Sequence, residues 1–157
     1  MKIAFSGHRS DKIIDRDLLI EKLVTLLLNY RQEQKDLFFI TGGSTGFDTI
    51  VLAELIKLFS KDQIEIMIPF SGFETYATKD WSEIKQAQGL NQTYVDRVKI
   101  VGGEKGSFAS KCYKRNESMI KEADLLICYW NGSPSGTGNT VKLALKKGID
   151  VINLFES

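Results

Sequence analysis

Cysteine, proline and histidine are all scarce in this 157-residue chain, which has two, two and one of them. Two cysteines, Cys112 and Cys128, are too few for a disulfide framework or a structural zinc site. Cys128 sits in the apolar run Leu125-Leu126-Ile127-Cys128-Tyr129 and reads as a buried thiol. Pairs of His, Cys or carboxylates at metal-ligand spacing are absent, so neither a metal nor a cofactor is expected. No apolar stretch approaches the roughly 18 residues of a membrane span. Met1–Gly7 reads as a strand rather than as the long apolar region of a signal peptide. The expectation is a cytoplasmic protein with no membrane contact. An excess of one charge is missing too, since 21 Lys and Arg face 20 Asp and Glu for a net charge of +1. This argues against a dominant polyanion-binding surface, and nucleic acid is the unlikely partner on these grounds.

Two familiar signatures are also lacking. There is no Gly-x-x-x-x-Gly-Lys-Ser/Thr, which disfavours a P-loop nucleotide triphosphatase. The first strand–helix turn lacks Gly-x-Gly-x-x-Gly, which disfavours an ordinary nicotinamide dehydrogenase.

What is present is an alternation of short apolar runs with longer amphipathic segments. Strands are predicted at Ile3–Ser6, Leu37–Thr41, Ile64–Ile68, Val98–Val101, Asp124–Trp130 and Val151–Leu154. Helices are predicted at Ile14–Gln34, Phe47–Phe59, near Asp80–Gln88, at Ser110–Ala123 and at Gly136–Lys147. Hydrophobic residues make up 43% and charged residues 26%, as in an ordinary globular chain. Continuous apolar strands separated by helices imply a mainly parallel sheet covered on both faces. The fold class is therefore α/β, a Rossmann-like three-layer α/β/α sandwich, as a single domain over residues 1–157.

Ligands of such sheets bind beyond the carboxyl ends of the strands. Three turns there stand out. Ser6-Gly7-His8-Arg9-Ser10 holds the one histidine and an arginine. Arg9 could grip a phosphate or carboxylate, and His8 could donate to one or shuttle a proton. Capping of neighbouring elements is the alternative for both. In the second turn, Thr41-Gly42-Gly43-Ser44-Thr45-Gly46-Phe47-Asp48, glycines allow a close backbone approach and the following helix offers amides to an anion. Asp48 is a helix cap or a ligand contact. Trp130-Asn131-Gly132-Ser133-Pro134-Ser135-Gly136-Thr137-Gly138-Asn139-Thr140 is the third, rich in glycine and hydroxyls and suited to cradling phosphate. Arg115 and Asn116 complete the candidates. Asn116 falls in the apolar stripe of its helix, while Arg115 is balanced between a site and a surface ion pair.

This ordered set resembles the SLOG superfamily of Rossmann-like domains, which includes the LOG phosphoribohydrolases and the DNA-processing DprA proteins. The small stand-alone YpsA-like and YspA-like branch is the nearest in pattern. Gly7-His8-Arg9, Gly42-Gly43-x-x-Gly46-x-Asp48, Arg115-Asn116-x-x-Met119, Trp130-Asn131-Gly132 and Gly136-Thr137-x-x-Thr140 carry the resemblance, which spans nearly the whole chain. It implies a nucleotide-type ligand such as a nucleoside monophosphate, ADP-ribose or a signalling nucleotide. The expected contacts are Gly7, His8, Arg9, Gly42, Gly43, Gly46, Asp48, Arg115, Asn116, Trp130, Gly132, Ser135, Gly136, Thr137 and Thr140. Paired subunits are a further expectation of the superfamily.

LOG enzymes supply a catalytic glutamate three positions after the Gly-Thr pair, where this chain has Thr140. A hydroxyl does not stabilise the oxocarbenium-like charge of N-glycoside cleavage as a carboxylate does. The expected function is therefore a sensor or binding module for a small nucleotide-type ligand. N-glycoside hydrolysis is the alternative, with Arg115, Glu117, Asp48 and His8 as catalytic candidates and Glu74 as another carboxylate within range. A third reading, DprA-like binding of single strands, is disfavoured by the near-neutral charge and the lack of a basic patch interleaved with aromatics. Segment 70–79, with Phe73 and Tyr76 and followed by Trp81, could close over a base or pack on a neighbouring subunit.

Overall fold

The computed structural model describes residues 1–76 and 78–155. Six strands form one sheet: β1 (Lys2–Gly7), β2 (Phe38–Thr41), β3 (Ile64–Ile68), β4 (Val98–Ile100), β5 (Leu125–Tyr129) and β6 (Asp150–Asn153). Between them run α1 (Arg16–Glu33), α2 (Phe47–Leu58), α3 (Trp81–Gln92), α4 (Phe108–Glu122) and α5 (Gly136–Lys147). The strand order is β4-β3-β2-β1-β5-β6, and every neighbouring pair is parallel. The α/β fold with a parallel sheet is as the sequence predicts.

Period-two side-chain alternation splits the sheet's apolar residues between its faces. Ile3, Phe5, Phe39, Ile64 and Ile66 pack with Leu19, Leu23 and Leu27 of α1 and with Phe47, Ile50, Val51 and Leu55 of α2. On the other face Ala4, Ile40, Met67, Leu126 and Cys128 pack with Met119 and Ile120 of α4 and Val141 and Ala144 of α5. Both helix layers are thus fixed by the sequence pattern of the strands they cover.

Helix starts differ by a few residues from the periodicity, and capping explains the shifts. The Asp15 carboxylate accepts the Leu18 N–H, so α1 begins at Arg16, two residues after the predicted Ile14, which stays 79% exposed. Ser107 accepts the Ser110 N–H and starts α4 at Phe108 instead of Ser110. Asp80 accepts from Ser82 and Glu83 and heads an α3 that runs on to Gln92. Residues 73–76, expected within an exposed loop, make a 3-10 turn that buries Phe73 and Glu74.

Winding runs outward from β1 to β4 on one side, then crosses to β5 and β6 on the other. The reversal places a crevice between the carboxyl ends of β1 and β5.

Candidate functional site

A cavity of about 480 Å³ opens at that crevice. Ser6, Gly7, His8, Arg9, Asp11 and Lys12 form its β1 side, and Ser135, Gly136, Thr137 and Asn139 form the α5 side. Ser44, Asp48, Arg115 and Asn116 lie beneath, and Phe73, Phe108, Ala109, Cys112 and Tyr113 close the remaining wall. A more open groove of about 470 Å³ beside Arg31, Lys57 and Gln63 lies among the ends of α1 and α2. Helix carboxyl ends disfavour anions, so the crevice is the better anion site.

The two glycine-rich helix starts differ in one decisive way. At α2, Glu83 of α3 accepts the Gly46 N–H at 3.0 Å and also pairs with the Ser10 hydroxyl. Asp48 Oδ2 accepts the Ser44 N–H at 3.2 Å. Two of the protein's own carboxylates therefore occupy the place where the sequence suggests an anionic ligand. Gly46 has φ +81, and a Cβ there would lie 2.6 Å from Arg9 Cα. Its glycine is demanded by the close packing of two turns, which the Phe47 N–H donating to His8 O reinforces.

At the start of α5 no side chain among the described residues accepts the Gly136 or Thr137 N–H. The Ser135 hydroxyl accepts the Gly138 N–H at 3.1 Å, which leaves Gly136 and Thr137 as the leading first-turn amides on the cavity side. The turn before them is rigid. Trp130 Nε1 donates to Ser133 O at 2.7 Å, and Ser133 N and Oγ both donate to Asn131 Oδ1. Thr140 is fully buried with its hydroxyl donating to Gly136 O, so it points into the helix packing. Trp130, Gly132 and Thr140 shape this turn without lining the cavity.

His8 joins the two sides. Its Nε2 lies 3.0 Å from the Asn131 N–H and 2.9 Å from Asn131 Oδ1. A neutral ring accepts from the first, and a protonated ring donates to the second. Burial pushes its pKa below the ordinary histidine value, helped by Lys12 and opposed by Asn131 and Asp11.

Beneath the cavity Arg115 is a structural anchor. Its Nη1 donates to Gly42 O at 2.5 Å and to Met67 O at 3.2 Å, and its Nε donates to Asn116 Oδ1 at 2.8 Å. The guanidinium lies 5.0 Å from the Phe73 ring centroid. A Cβ on Gly42 would fall 2.6 Å from Asp48 Oδ2 and 2.9 Å from Arg115 Nη1, so only glycine fits between these charges. Burial raises the Asp48 pKa and lowers that of Arg115, and each opposes the other's shift. Asn116 is explained by the same contacts: its amide carries Arg115.

The aromatic wall joins Phe73 and Tyr76, which the sequence suggests could close over a base, to Phe108 and Tyr113, which it does not single out. Phe70, Phe73, Tyr76 and Phe108 form one cluster, with ring centroids 5.3 to 6.0 Å apart. Tyr76, Phe108 and Tyr113 remain 63%, 42% and 43% exposed. Arg9 reaches across to the Tyr76 carbonyl at 3.4 Å. Of the proposed catalytic groups, His8, Asp48 and Arg115 meet at the cavity, whereas Glu117 and Glu74 do not line it. Gly7 lines it too, but Gly43 and Gly46 do not. Among the described residues no cluster of His, Cys, Asp and Glu could hold a metal, and no helix is long and apolar enough to cross a membrane.

The fold and crevice define a Rossmann-like domain with one anion-ready helix end facing an aromatic wall. No family model matches the chain. It is 28% identical over 139 residues to the SPbeta prophage-derived protein YoqJ of Bacillus subtilis strain 168, covering 82% of this chain and 77% of that one. Two solved DNA processing protein A (DprA) structures share the fold. The Helicobacter pylori protein, described for its single-stranded DNA binding mode, superposes with a TM-score of 0.64 at 17% identity over 96% of this chain and 63% of its own. The Streptococcus pneumoniae protein gives 0.59 at 16% over 96% and 48%. The chain thus spans less than two thirds of the DprA chains it matches.

These findings correct two expectations. The reading as a small-molecule nucleotide sensor gives way, because the fold neighbours are DNA processing proteins, one of them described for its single-stranded DNA binding. The expectation that nucleic acid is an unlikely partner falls with it. Net charge averages over the whole surface and hides local arrangement. No stretch of sequence interleaves basic and aromatic residues, whereas the fold gathers aromatic rings from Phe70, Phe73, Tyr76 and Phe108 at one place.

Proposed function

We propose that this protein binds single-stranded nucleic acid, seating one nucleotide in the crevice between β1 and β5. The observation that carries this reading is the aromatic wall of Phe73, Phe108 and Tyr113 across one cavity from the open amides of α5. Aromatic rings stack bases of any sequence, and helix-start amides with Arg9 and Lys12 take the backbone phosphate. The likeness to the DprA fold supports the same partner class. The ordered motifs support a place in the YpsA-like and YspA-like branch of the SLOG superfamily.

Fluorescence anisotropy with a labelled single-stranded oligonucleotide tests it. Affinity falls with rising salt, and Arg9→Ala flattens the log–log slope by about 0.7, one single-strand phosphate contact. Phe108→Ala weakens binding by about 1–3 kcal/mol and lowers the melting temperature modestly through its lost ring contacts, with the variant still folded by circular dichroism. Absence of binding at low salt overturns the proposal.

A further inference from the structure

Asp48 is buried to 7% exposure, and its Oδ1 has no hydrogen-bond partner. Thr41 and Thr45 also carry a buried oxygen without such a partner, but of these three only Asp48 lines the cavity. A buried acceptor left unsatisfied is unfavourable, so its presence beneath a cleft points to a ligand that donates to it. The other oxygen, Oδ2, is held by the Ser44 N–H. Asp48 lines the cavity floor, so a donor entering the cavity approaches this carboxylate.

Electrostatics restricts what sits there. At the floor Asp48 offsets the Arg115 guanidinium, whose donors are already taken by Gly42, Met67 and Asn116, so the phosphate belongs at the rim with Arg9 and the α5 amides. The floor then receives the neutral part of the nucleotide. With a base against Phe108 and Tyr113, which the buried Phe73 backs, its hydrogen-bonding edge faces down.

We propose that Asp48 reads the base, and that the crevice selects guanine. This rests on the single-strand reading above and names the specificity of that same site. Guanine presents the N1–H and N2–H groups side by side, two adjacent donors that match a carboxylate. Adenine and cytosine place an acceptor lone pair beside their amino donor. Thymine flanks its single N3–H with two carbonyl oxygens, which a carboxylate repels.

The test is competition binding by oligothymidine strands in which one position is guanine, inosine or thymine. Guanine binds tightest, by about tenfold over thymine. Inosine, which keeps N1–H and lacks the N2 amino group, falls between them. Asp48→Asn keeps the size of the side chain and its acceptor for Ser44, and presents an amide donor in place of Oδ1. Its preference reverses toward thymine, whose carbonyls accept. A merely structural role would weaken all three strands alike. If the variant fails to fold, as read by circular dichroism, the wild-type series of three bases still decides. Equal affinity for the three overturns base reading and leaves strand binding standing. Guanine preference retained in a folded Asp48→Asn protein overturns the role of Asp48. Failure of every strand to bind overturns both proposals.

Discussion

Glu83 Oε1 accepts the Gly46 N–H at 3.0 Å, which places a carboxylate from α3 at the start of α2. That single contact distinguishes two helix ends that look alike in sequence. The positive end of α2 is neutralised from within, and that of α5 is open.

Replacing Glu83 should therefore do two things. Glu83→Ala removes a charged acceptor from Gly46 and Ser10, lowering stability by about 1–3 kcal/mol in urea denaturation. It also frees the α2 amides, so sulfate should raise the melting temperature of the variant more than that of the wild type. An equal sulfate response in both proteins would show that the α2 end is closed by something besides Glu83.

Arg115 is expected to matter for stability before it matters for binding. Arg115→Met leaves the carbonyls of Gly42 and Met67 without their donor and the buried Asp48 charge uncompensated. The loss should be about 3–5 kcal/mol by chemical denaturation. Arg115→Lys restores the charge without the fork that spans two carbonyls, and should recover only part of it. Full stability in Arg115→Met would contradict the anchoring role.

The contrast between Arg115 and the aromatic wall shows what was readable beforehand. Strands β1, β2, β3 and β5 announce themselves as runs that are apolar on both faces, because both faces are covered. The topology then predicts that the turn after β1 and the turn before α5 meet. Which glycines serve a ligand was not legible. Gly42 and Gly46 look like phosphate glycines, yet side chains and backbone from residues far along the chain fill the space beside them. Glu83 could not be singled out either, since a carboxylate early in an amphipathic helix reads as ordinary first-turn stabilisation. Phe73 and Phe108 lie 35 positions apart, and no periodicity links them. Their one local signal was the density of aromatic residues at Phe70, Phe73 and Tyr76 just after a strand end.

His8 gives a pH dependence with a definite sign. Burial holds its folded-state pKa below the ordinary value of 6.5, so the unfolded chain binds the proton more readily. The contribution of His8 to stability is full above pH 6.5, declines as pH falls through that value toward the folded pKa, and levels off below it. Titration of the imidazole by NMR should give a midpoint under 6.5. A midpoint above 6.5 would mean that the bond to Asn131 Oδ1 outweighs burial.

The phosphate assignment at α5 can be tested without disturbing the helix. Gly136 is its first residue, where proline is well tolerated because the N–H has no partner within the helix. Nothing lies within 4 Å of a Cβ added at Gly136. The preceding Ser135 has φ −169 and ψ 172, the extended conformation that a following proline requires. Gly136→Pro therefore deletes one amide donor and little else. Melting temperature should hold or rise slightly, since proline restricts the unfolded chain. Affinity for a single strand should fall by roughly tenfold or more, the worth of one hydrogen bond to a charged oxygen. Gly136→Ala keeps the N–H and should bind like the wild type. The pair isolates the amide from the residue, so equal affinity in Gly136→Pro and Gly136→Ala would move the phosphate away from α5.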